Sequence, residues 1–351
     1  MTPELSFNLD TTVDFLVGLL NTPSPTGYYE EAIAYTEKAF AALNVPDLSL
    51  LVTPKGALVG TWRGESASAP RGMTAHVDTL GLMVKEIKSS GRLKTTMLGG
   101  YDWNAIEFEG VTVQTVDGRR YRGTVVPVNA SFHVNRDIPK VTRSAETLEI
   151  RLDARTTSAD ETRGLGIGVG DFIFLDPRVE IGEAGFIRSR HLDDKAGVAA
   201  IYAALIALKA AGLRPGQDTT ILIANYEEVG HGGANGFPPG LAELVAIDMG
   251  ALGDGQTGDE FSVSICAKDS SGPYHPLMMH KLRRLADAHN IPYRVDIYPY
   301  YGSDGSAYWR AGGEARVGLI GPGVDASHAY ERTHRESIER TAHLIARWLL
   351  D

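Results

Sequence analysis

Two kinds of hydrophobic spacing alternate along the chain. In the first 80 residues apolar positions recur at helical intervals over Thr11–Leu20, and again from the turn Thr22–Gly27 to about Leu43; short strands then lead to Met73-Thr74-Ala75-His76. From about Leu80 to Glu183 the period shortens to two, as in Leu82–Ile87 and Val111–Thr115, with turn residues between segments. Asp117-Gly118, between Val111–Val116 and Tyr121–Val126, predicts a tight hairpin. Ser158–Glu161 has the spacing of a capping box that opens one short helix. After Arg190 the helical period returns: Asp194–Ala211 predicts a helix stopped by Gly212, and Thr219–Tyr226 and Leu244–Asp248 predict buried strands. Helices near Pro276–His289 and Ser337–Leu350 flank strands expected at Arg294–Tyr298 and Ala315–Ile320. The pattern predicts an α/β domain built from residues 1–79 and 184–351, interrupted by a β-rich barrel or sandwich over residues 80–183.

Composition narrows the picture further. A chain of 351 residues, 43% apolar, is large enough for more than one core. The net charge of −10 comes without a Lys/Arg stripe, which argues against nucleic acid as a partner. The single cysteine, Cys266, rules out a disulfide within the chain and a Cys-based zinc site; its place in the alternating run Phe261–Cys266 predicts a small core residue. Met1–Ser6 lacks the basic and apolar regions of a signal peptide, and the longest nearly apolar run, Ala196–Leu208, is too short to span a bilayer. A cytoplasmic location without membrane association is the expectation.

Candidate chemistry sits where apolar runs end. His76-Val77-Asp78, Asp193-Asp194, Glu227-Glu228, Asp248 and His328 all occupy such places, and in an open α/β sheet ligands gather at strand ends. Two apart in a strand, His76 and Asp78 project to the same side, so that Asp78 can accept the second ring N–H of a metal-bound His76. Asp193-Asp194 before an apolar helix fits either a helix cap or a carboxylate turned into a cleft to bridge metals. Glu227 and Glu228 follow a strand free of charge from Thr219 to Tyr226; neighbouring carboxylates there repel each other and lose hydration unless a cation neutralises them. Asp248 and His328 are each unremarkable alone. Taken together, carboxylates and imidazoles without thiols suit paired Zn²⁺, Co²⁺ or Mn²⁺.

This ordered set resembles the M42 family of metallo-aminopeptidases. The resemblance is carried by His76-Val77-Asp78, Leu192-Asp193-Asp194-Lys195-Ala196-Gly197, Glu227-Glu228-Val229-Gly230, Asp248 and Ser327-His328, in the family's order and over nearly the whole chain. It implies a central mixed sheet flanked by helices with an inserted small β-barrel, and two divalent ions per subunit, zinc foremost. By the same resemblance Asp193 bridges the ions, His76 and Asp248 complete one position, and Glu228 and His328 the other. Glu227 is then the general base acting on an activated water, Asp78 the partner of His76, and short peptides the substrates. A homo-oligomer built from dimers through residues 80–183, up to a dodecamer, is implied as well. Lys195 stands where many members have Arg, Ser303-Asp304 where many have Thr-Asp, and Gly321–His328 lacks an Arg-Tyr pair; these differences bear on substrate preference. Lys268–Pro273 and Ser327–His334 are similar to a bacterial branch associated with N-acetylglutaminylglutamine amide, which implies a small blocked dipeptide as substrate.

Other assignments compete. His191, His231 and His334 are rival ligands, expected to be surface or supporting groups. A deacylase or carboxypeptidase of the same clan would carry an α/β lid in place of the β insertion. A glycoside hydrolase needs two carboxylates facing each other across a sugar at about 5 Å or more, which the adjacent Glu227 and Glu228 do not offer. A non-catalytic binding protein on this fold would have no use for a complete base and ligand set.

Overall fold

The apolar runs around Met73–Ala75, Ile221–Ala224 and Leu244–Ile247 form strands buried on both faces, as parallel strands covered by helices must be. A computed structural model describes residues 4–351; Met1–Pro3, which begin the segment read for a signal peptide, lie outside the described residues. Residues up to Asp78 together with Arg178–Asp351 make one compact unit, and Thr79–Pro177 a second.

In the larger unit the described residues form a ten-stranded mixed sheet. Its main path runs Leu48–Val52, Leu58–Trp62, Gln217–Ala224, Ser66–His76, Glu243–Ile247, Arg316–Val324, Val263–Asp269, Gly272–Pro273. The middle of that path is parallel: Gln217–Ala224, Ser66–His76, Glu243–Ile247 and Arg316–Val324 all run the same way, so their carboxyl ends lie along one edge of the sheet. The helix Leu192–Ala210 is buried along nearly its whole length, against Leu9–Leu20 and Arg335–Leu350 and against the strand Ser66–His76. In Arg335–Leu350 the buried positions Ile338, Thr341, Ala342, Leu344, Ile345, Trp348 and Leu349 keep the spacing of one helical face. A three-stranded sheet of Glu180–Ile181, Phe186–Ser189 and Glu331–His334 completes this unit.

The smaller unit is a closed six-stranded barrel, which resolves the choice between barrel and sandwich. Alternating residues such as Leu82, Val84, Val111, Val113, Val125, Ile150 and Ile173 fill its interior. Gly110–Gln114 pairs with Arg120–Pro127 across a turn in which Gly118 takes a φ of 83°, a value that favours glycine. Ser158 and Glu161 form the expected capping box on the helix Ala159–Gly164. Cys266 is buried in the strand Val263–Asp269, and burial pushes its thiol up to about 12, consistent with an inert core residue.

Candidate metal centre

All the candidate residues lie in the larger unit, and the parallel strands explain their convergence. His76 ends its strand, Glu227 and Glu228 follow Ala224 by a short turn, Asp248 directly follows Ile247, and His328 comes four residues after Val324. The fifth segment enters from the side. Asp193 and Asp194 precede the regular part of the helix Leu192–Ala210, with backbone angles outside the helical region, so the two carboxylates point in different directions. Asp194 turns back, accepting from the Gly197 N–H at 3.2 Å and the His76 N–H at 3.3 Å. A Cβ on Gly197 would sit 2.3 Å from Asp194 Oδ1, so only glycine permits this cap. Asp193 turns into the cleft.

There each oxygen of Asp193 faces a different imidazole. Oδ1 lies 3.2 Å from His76 Nε2, and Oδ2 lies 3.3 Å from His328 Nε2. His328 Nε2 is also 3.6 Å from Glu228 Oε2. Two groups of ligand atoms result, His76–Asp193–Asp248 and Asp193–Glu228–His328, each within 4.8 Å and sharing Asp193. Glu227 belongs to neither group; its Oε2 stands 3.8 Å from His76 Nε2. The rivals belong to neither group. His231 stacks on Tyr226, the Nε2 of His334 lies 2.7 Å from the Ala184 oxygen while its Nδ1 accepts from the Glu336 N–H, and His191 occupies a left-handed position before Leu192.

Asp78 has a larger task than its sequence position implied. The strand ends at His76, so the two side chains do not share a strand face. His76 Nδ1 instead lies 2.9 Å from the Asp78 backbone oxygen, with the carboxylate Oδ1 at 3.6 Å. A carbonyl can only accept, so it places a proton on Nδ1 and leaves Nε2 directed at the cleft. The Asp78 carboxylate accepts the N–H groups of Glu227 and Glu228, at 3.1 and 3.3 Å, and the Thr26 hydroxyl at 2.7 Å. It thereby fixes the turn that carries both glutamates.

Two more buried acids hold parts of the site, roles not assigned to them from the sequence. Asp304, at the start of the helix Asp304–Arg310, accepts the Gly233 N–H at 2.5 Å and anchors the glycine-rich loop after Glu228. Glu331 accepts the Asp193 N–H at 3.1 Å and the His328 N–H at 3.0 Å. The sequence held one signal for each: Asp304 follows a capping serine, and Glu331 lies three residues after His328. Lys195 does not reach the cleft. Its buried ammonium donates to the Leu19 and Thr22 carbonyls at 3.0 and 2.7 Å, and burial pushes its pKa down to about 7, so this departure from the family concerns helix packing.

The electrostatics call for positive charge at the centre. Burial first, then neighbouring carboxylates, drives Glu227 and Glu228 well above the usual carboxylate range and Asp248 up to about 8. For Asp193 burial acts the same way, but the two imidazoles outweigh it and hold the group below that range. His76 Nε2 is buried, and its approach to Asp193 lacks hydrogen-bond alignment, so among the described residues it has no hydrogen-bond partner. An orphaned imidazole nitrogen ringed by carboxylates, with no thiol nearby, fits a divalent cation. Beside the cluster opens a cavity of about 570 Å³, walled by Met249, Leu252, Tyr300, Ser303 and Arg310 among others.

The chain is 48% identical over 334 residues to YhfE of Bacillus subtilis (strain 168), provisionally named an aminopeptidase, covering 95% of this chain and 96% of that one. Among solved structures it is similar to an aminopeptidase from the archaeon Desulfurococcus kamchatkensis, with a TM-score of 0.86, 21% identity and coverage of 98% and 95%. It is also similar to the Pyrococcus horikoshii TET1 peptidase, which assembles into a tetrahedron or a large octahedral shell, with a TM-score of 0.82, 22% identity and coverage of 97% and 99%. The profile of the M42 glutamyl aminopeptidases matches residues 56–344, and the chain belongs to that family of peptide-bond hydrolases, the M42 aminopeptidases.

Proposed function

We propose that this protein is a cytoplasmic aminopeptidase that removes N-terminal residues from short peptides with two divalent ions, zinc foremost. His76, Asp193 and Asp248 hold one ion, and Asp193, Glu228 and His328 the other. The observation that carries this reading is the placement of the two Asp193 oxygens, each directed at a different imidazole. When bound, such a pair of ions lowers the pKa of a water and polarises the scissile carbonyl.

The chain's own groups do the rest. Glu227, beside both ligand groups but in neither, takes a proton from the attacking water and delivers it to the leaving amine. Its carboxylate is aimed by the Asp78 grip on its backbone. The cavity next to Asp193 and Glu228 receives the substrate, with Met249, Leu252 and Tyr300 as apolar and aromatic wall. We also assign the barrel unit to contacts between subunits of a homo-oligomer. It exposes Phe132 and Val134, side chains that an isolated domain tends to cover.

Hydrolysis of aminoacyl amides and N-acetyl-dipeptide amides, after chelation and after restoring Zn²⁺, Co²⁺ or Mn²⁺, tests this directly. Release of N-terminal residues must depend on metal, and Glu227→Gln must lower kcat by about 10²–10⁴-fold with metal content unchanged. Cleavage confined to the N-acetylated amides would replace the aminopeptidase by a blocked-dipeptide hydrolase. No cleavage by the metallated protein would leave a binding role.

A further inference from the structure

Glu331, like Asp194, is a buried carboxylate that grips the cluster through backbone N–H groups. It is 2% exposed. One oxygen takes the His328 N–H three residues back, and the other crosses to the Asp193 N–H, 138 residues away in sequence. Its own backbone is pinned opposite Ser189, in the strand that leads to Asp193. The loop it closes is tied at its base by paired backbone hydrogen bonds between Asp325 and Arg332, and within it Ala326 and His328 adopt φ values of 55° and 64°. Left-handed backbone in residues with a Cβ persists only where surrounding contacts over-determine it.

We propose that Glu331 is a positioning residue for the cation site formed by Asp193, Glu228 and His328, and that it sets the affinity of that site relative to its neighbour. The inference rests on the two-metal reading above. Of the three residues in this group, Glu331 holds the backbone of two. Of the other group it holds only Asp193, while His76 is fixed separately by the Asp78 oxygen and by Asp194, and Asp248 extends a sheet strand. Loss of the grip on His328 therefore loosens one site more than the other. Partners that orient ligands in this way typically contribute about 10–100-fold to metal affinity.

The test is a titration of chelator-stripped protein, with Co²⁺ followed by its visible absorption and Zn²⁺ followed by competition with a chromophoric chelator. Wild type takes up two equivalents. Glu331→Gln retains the tighter equivalent and binds the second about 10–100-fold more weakly. Glu331→Asp keeps the charge but is one methylene too short to reach both N–H groups, so its second equivalent weakens too; an Asp variant that matches wild type reduces Glu331 to a charge and overturns the proposal. Equal weakening of both equivalents, or of neither, in Glu331→Gln also overturns it. Should Glu331→Gln fail to fold, the Asp variant decides. Fewer than two equivalents in wild type instead overturns the two-metal reading, and this inference with it.

Discussion

His76 and Asp248 differ from Glu228 and His328 in what holds them. The first pair extend from buried parallel strands, and their residues are 1% and 6% exposed. The second pair sit on turns, and the His328 side chain is 37% exposed at the mouth of the cavity. Asp193 belongs to both groups. One half of the cluster is therefore part of the sheet, and the other is assembled on loops that depend on Asp78 and Glu331. A site held by strands is preorganised at the cost of adaptability, whereas one held by loops can adjust to a substrate but loses its ion more readily.

Asp193→Asn cuts deepest, because it removes the shared carboxylate. Both ions should be lost on dialysis and activity should fall to background; retention of two tight equivalents, measured by elemental analysis, would refute the sharing. His76→Ala and His328→Ala separate the halves. The buried substitution should empty its site and also lower Tm, by leaving a cavity and unpaired polar groups worth about 1–3 kcal/mol. The His328 variant should lose one equivalent with Tm almost unchanged in the chelated protein. Identical thermal and metal profiles for the two would erase the distinction.

Gly197→Ala probes the strand-held half from behind. The added Cβ would collide with the Asp194 cap, and overpacking of this kind costs about 1–3 kcal/mol, read as a loss of stability in chemical denaturation. The smallest effect is a control remote from the cluster. Burial, and then Arg347, push His343 down to about 4, so the folded state disfavours its protonation. Its contribution is fully present above the unfolded value of about 6.5 and is lost as pH falls through about 4. Wild type should therefore lose Tm more steeply than His343→Gln between pH 6.5 and 4.5, and equal slopes would count against this.

The strand-held half was the more legible in the sequence. Apolar runs ending in His76 and Asp248 announce both the strand and the group at its tip, and the charge-free run to Tyr226 does the same for the glutamates. Element limits moved by a few residues, as with the helix expected over Ser337–Leu350 that begins at Arg335. What spacing could not reveal is backbone-directed chemistry. The grip of Asp78 on Glu227 and Glu228, and of Glu331 on Asp193 and His328, depends on where loops bring N–H groups together. No residue pattern encodes that. The helix Asp304–Arg310 was missed for a simpler reason: its 7 residues are too few to display a period.

The span of these contacts has a consequence during folding. Thr26 meets Asp78 across 52 residues, Asp78 meets Glu227 across 149, and Asp193 meets Glu331 across 138. Contacts so far apart in sequence must first overcome the entropy of closing long loops, so they close late. A partly folded chain can therefore hold much of its secondary structure and still lack the geometry of the cluster.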